Sequence, residues 1–122
     1  MIVEVSVGEL LDKWTILKIK SEMISDCGKL MNVKKERDYL HKQILTIDGL
    51  INDDLCEYLL DTNYSLWEVE DSLRSLESKK KFDESFISLA RSVYKLNDLR
   101  ADIKRKINLK YKSNFVEEKS YI

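Results

Sequence analysis

Asn97, Arg100, Lys104 and Asn108 fall three or four positions apart within one apolar periodic run. On a helix that spacing makes a single row. The row lies inside the stripe formed by Phe86, Leu89, Val93, Leu96, Ile103 and Ile107. Burying an unpaired charge costs several kcal/mol, so the two cations must either pair internally or line a wet pocket. In a pocket, Arg100 and Lys104 would present donors suited to phosphate or carboxylate.

Three other segments repeat the anomaly. A first helix places Val7, Leu10, Leu11, Trp14, Leu17 and Ile24 on one face, with Lys18 inside that stripe and Glu22 at its edge. Ile16, Ile19 and Met23 form a second strip with Asp12 among them. On a second helix Asn32 and Glu36 border Leu30, Val33, Leu40, Ile44 and Ile47. On a third, Trp67 and the i,i+4 pair Glu70 and Arg74 flank Leu66, Val69, Leu73 and Leu76. Two readings compete. In the first, the charges form an internal network, Lys18 with Glu36 and Arg100 with Glu70, or snorkel outward from a stripe edge. In the second they converge on an interhelical pocket of the kind helical bundles build. There Arg74, Arg100, Lys104 and Lys18 would hold phosphate, Trp67 or Tyr94 would stack a base, and Glu36, Asn32 and Asn97 would read polar edges.

Other chemistries have less support. Cys27 and Cys56 lack metal or redox spacing, and His41 is the lone histidine, so a structural zinc set is not expected. Three isolated glycines make no phosphate loop. Glu9 with Asp12 and Glu68 with Asp71 are carboxylate pairs three apart, a spacing that holds magnesium in all-α nucleotide pyrophosphohydrolases. That alternative would use Glu70, Asp71 and Glu22, and it is the one reading that needs a cofactor. The pairs arise easily by chance among 22 acidic residues.

The elements that must position these side chains are helices. Over 122 residues there is no proline, and the glycines are Gly8, Gly28 and Gly49 alone. Ser6-Val7-Gly8-Glu9 reads as a capping box opening a helix from Val7 to about Ser25. Asp26-Cys27-Gly28 is a turn, and a second helix runs from about Lys29 to Thr46. Asn52 or Asp53 caps a third that reaches Ser78, with a break expected at Asp61-Thr62-Asn63, where poor helix formers meet. Asp83 caps a fourth helix continuing to about Lys112. Ile2 to Ser6 alternates as a short extended piece, a candidate edge strand. The expected fold is all-α: one domain, an antiparallel bundle of about four helices, with an ordered C-terminal tail. The last helix, some 45 Å long at ~1.5 Å per residue, is long for so small a domain. Its length and the candidate edge strand predict a homo-oligomer. With 21 basic against 22 acidic residues, no global attraction to nucleic acid or to anionic membranes is expected. No apolar run approaches a membrane span and no signal peptide is evident, which predicts a cytoplasmic protein.

Several blocks of the chain resemble an uncharacterised family of small bacterial proteins. They are Ser6 to Lys13, Thr15-Ile16-Leu17, Ile19 to Glu22, Lys29 to Val33 with Glu36, Leu66 to Asp71, Leu89 to Tyr94 with Asn97-Asp98, Ile107-Asn108, and Glu117 to Tyr121. The likeness covers nearly the whole chain, with Trp14 standing where a small aliphatic residue is more usual. It implies a domain of unknown function, often met beside surface-polysaccharide genes and in phages, and no activity. The resulting expectation is a non-enzymatic module that binds a small anionic ligand, a nucleotide or nucleotide-sugar, in an interhelical or intersubunit pocket. A protein–protein interaction module with structural inner charges is the other alternative.

Overall fold

The computed structural model describes residues 1–120; Tyr121, the last residue of the family-like tail block, lies outside the described residues. The chain forms four helices: α1 (Val7–Met23), α2 (Cys27–Leu45), α3 (Asp54–Ser78) and α4 (Glu84–Lys110). Each starts on a side-chain cap. Ser6, Asp26, Asp53 and Asp83 accept from the backbone N–H groups of Glu9, Lys29, Leu55 and Phe86. These bonds satisfy donors that a helix leaves without an intrahelical partner. α3 runs unbroken through Asp61-Thr62-Asn63. Thr62 returns its hydroxyl to the Tyr58 carbonyl, and Asn63 spends its amide on α1. Thr62 and Asn63 are retained there because each finds a hydrogen-bond partner.

α1 is the common element, packing against α2, α3 and α4, while α3 and α4 pair with each other. Where the helices meet, Leu11, Ile44, Leu50, Cys56, Leu59, Ile103 and Ile107 make one buried cluster. Gly8 is required at this junction. A Cβ there would stand 2.7 Å from the Lys104 carbonyl oxygen and 3.0 Å from Asn108 Oδ1. Ile2 to Val5 forms no strand, since no neighbouring chain segment offers a ladder among the described residues. Instead, Glu4 accepts from the Asn114 side chain, and Ser6 donates to Glu117, tying the N-terminal segment to the tail.

Burial is concentrated at the junction. Between Lys20 and Gln43 no residue is buried, nor is any between Trp67 and Asp102. The α3–α4 hairpin therefore runs beyond the buried cluster, with its apolar residues only partly covered. Phe82 and Phe86 meet edge to face there at 5.2 Å. No described helix is long and apolar enough to cross a membrane.

Candidate functional site

The polar centre of the molecule is Asp12, 1% exposed on the face of α1 that meets α3 and α4. Arg100 grips it with two parallel bonds: Nε to Oδ1 at 2.8 Å, and Nη2 to Oδ2. Asn63 of α3 donates to the same Oδ1 at 2.9 Å and to the Thr15 hydroxyl at 2.9 Å. Thr15 in turn donates to the Asp12 carbonyl at 2.7 Å. Lys104 binds Glu9 at 2.6 Å and lies 3.7 Å from Asp12 Oδ2. One carboxylate thus clamps three helices together. Among the described residues, no buried side-chain nitrogen or oxygen lacks a hydrogen bond.

Charge follows geometry. Burial raises the Asp12 pKa, but the hydrogen bonds from Arg100 and Asn63 and the charges of Arg100 and Lys104 outweigh it. The net effect holds the carboxyl below the ordinary aspartate value. The same bond to Asp12 raises Arg100, with burial opposing it. Both groups are ionised near neutrality, as a bidentate pair requires.

A second lock closes the junction one turn away. The α1 N-terminus has its first three N–H groups taken by side chains: Val7 by Ser113 at 3.1 Å, Gly8 by Asn108 at 2.7 Å and Glu9 by Ser6 at 3.1 Å. Asn108 also donates to Glu117 at 3.2 Å. Only half of the expected capping box forms, because the Glu9 side chain turns to Lys104 instead of its own helix start. On the other side of the core, Asp53 caps α3 and receives Lys110 at 2.6 Å and the Tyr111 hydroxyl. Burial raises its pKa, but bonds from Lys110, Tyr111 and the Leu55 N–H bring it down to about 2.

Of the four row residues, Asn108 is buried and accepts from the Gly8 N–H, while the other three reach a cleft. Asn97, Arg100, Ala101, Lys104 and Lys119 line one cleft of about 270 Å³. The remaining candidates lie elsewhere. Lys18 sits over the Trp14 ring at 5.8 Å, and Glu22 accepts from the Tyr64 hydroxyl. Asn32 is exposed on α2, and Glu36 borders a shallow cleft with Lys13, Ile16, Leu17 and Lys20. Glu70 and Arg74 form an exposed i,i+4 pair 3.8 Å apart on distal α3, beside Leu73, Glu77, Phe86 and Ala90. Trp67 is half-buried and Tyr94 exposed, and neither lines the Arg100 cleft. The counter-ions therefore differ from the expected pairing: Arg100 takes Asp12 rather than Glu70. Glu22, Glu70 and Asp71 do not come together, and no group of three or more metal-ligating side chains occurs among the described residues.

Sequence reasoning passed over Asp12, Asn63 and Thr15 as members of one site. The available signal was an aspartate inside the apolar strip of α1 facing an asparagine inside the expected break of α3. Residues 1–122 match a family model described as "Family of unknown function (DUF6165)", and the chain belongs to that family. No curated protein and no solved structure matches the chain.

Proposed function

We propose that this protein is a helical interaction module that self-associates, with the Asp12 network as its internal brace. The observation that carries the reading is surface area. The 14.4 kDa chain exposes 8624 Å². A compact monomer of that mass is expected near 6,800 Å², so the surplus is about 1,800 Å². A stable interface takes roughly 800 Å² from each partner. The exposed N-terminal segment, the length of α2, the tail and the distal α3–α4 hairpin all contribute to the surplus. In that hairpin Leu73, Leu76, Phe86, Leu89, Val93 and Leu96 are only partly covered, although helices owe most of their stability to packing an apolar face.

A second copy fits this surface. Leu73, Phe86 and Ala90 form a groove rimmed by Glu70, Arg74 and Glu77. The outer face of α4 carries Arg91 and Lys95. Two hairpins laid together about a twofold axis would cover both grooves and bring acidic α3 rims near basic α4 faces. The inner charges take a structural role here: Arg100 and Lys104 hold the hairpin at a defined angle to α1.

Sedimentation equilibrium across micromolar to near-millimolar protein tests the reading. The expected mass is twice that of the chain, falling to one chain in Ala90→Arg, while circular dichroism keeps its helical signal. A wild-type chain that stays monomeric throughout that range would sink the proposal.

A further inference from the structure

We propose that the cleft over Arg100 and Lys104 is a binding site for a small oxyanion, a phosphate group by its size and donor set. This is independent of self-association. The cleft brings three cations, Arg100, Lys104 and Lys119, and one amide, Asn97, around a common space. Arg100 is already oriented. Asp12 takes its Nε and one face of Nη2, and Nη1 is turned toward Asn97 Oδ1 at 3.5 Å. A guanidinium held on one edge keeps donors on the other at little cost in side-chain entropy. Lys104 is 18% exposed and has one short partner, Glu9. Its distance of 3.7 Å from Asp12 is too long for a hydrogen bond, so an ammonium with three donors has capacity left for a ligand oxygen. Lys119 reaches in from the tail, donating to the Asn97 carbonyl and to Asp98 at 3.3 Å each.

Size narrows the ligand. About 270 Å³ is far more than the ~30 Å³ share of one water, yet it falls short of the ~300–1,000 Å³ pockets that enclose drug-sized ligands. Among the described residues, no aromatic ring lines it. A phosphoryl head with its waters fits that volume and meets donors from Asn97, Arg100 and Lys104. Asp12, Glu9 and Asp98 stand beside these cations and weaken their hold on an anion. Because Lys119 belongs to the tail, an occupied cleft would pin the tail to α4.

The test is a titration of the full chain with inorganic phosphate at constant ionic strength, followed by amide chemical shifts. We expect saturable shifts centred on Asn97 to Ala101 and on Lys119. Lys119→Ala, an exposed change that leaves the core intact, should weaken binding about fivefold, the scale of one exposed charge contact. Lys119→Arg should retain it. The proposal is overturned by shifts that do not saturate, by saturating shifts that centre on the Lys79–Lys81 turn instead, or by equal affinity in Lys119→Ala and wild type.

Discussion

Replacing Arg100 by methionine should unmask the buried carboxylate at the centre of the fold. Asp12 is 1% exposed, while the Arg100 side chain is 29% exposed. The pair is therefore asymmetric. Without Asp12, Arg100 can bend toward solvent along its aliphatic stem. Without Arg100, Asp12 cannot reach water and keeps only Asn63 and a lysine at 3.7 Å. Breaking a buried pair costs about 3–5 kcal/mol. The residual contacts place Arg100→Met near the low end, roughly 3 kcal/mol, and the freer arginine places Asp12→Asn nearer 2 kcal/mol. For a chain of this length 3 kcal/mol corresponds to a Tm loss on the order of 10 °C. The pH dependence separates this from mere loss of packing. In wild type the folded Asp12 pKa lies below its ordinary value, so its contribution is present at neutral pH and fades as pH falls below about 4. In Arg100→Met burial dominates and the folded pKa rises above the unfolded one. The deficit should then shrink between pH 7 and pH 4, as the stranded carboxyl takes up a proton. Urea denaturation at several pH values measures both. The double variant Asp12→Leu/Arg100→Met should recover most of the loss, because an apolar pair leaves no charge behind. A deficit under 1 kcal/mol, or one that runs parallel to wild type from pH 7 to 4, would refute the assignment of Asp12 as the brace.

Two further outcomes test the junction. Gly8→Ala should cost about 1–3 kcal/mol in chemical denaturation, since its Cβ would meet the Lys104 backbone carbonyl at 2.7 Å and force α1 away from α4. Asp53, with a pKa near 2 against an ordinary 3.8, stabilises the fold above about pH 4 and loses that contribution as pH falls toward 2. Asp53→Asn should therefore lower Tm at pH 7 by the equivalent of roughly 2 kcal/mol and flatten the acid limb of a Tm-against-pH curve.

The helices and their starts were legible in the residues because they depend on local chemistry. Ser6, Asp53 and Asp83 act as caps, the chain lacks proline, and apolar positions recur every three or four residues. The same local reasoning located Arg100 and Lys104 as cations set in an apolar stripe. It also set a break at Asp61-Thr62-Asn63, since propensity alone cannot register that Asn63 reaches across to Asp12 and Thr15. Which carboxylate answers Arg100 was beyond it too. Glu70, Glu36 and Asp12 are equivalent as sequence, and only the crossing of α1 over α3 and α4 brings Asp12 within 2.8 Å. That crossing likewise made Gly8 a contact residue and left the distal hairpin outside the core. Periodicity and capping are properties of one segment and its own backbone, so the sequence by itself determined them. Pairing, burial and exposure depend on the angles between segments, which packing at the junction selects, and those the tertiary structure alone decided.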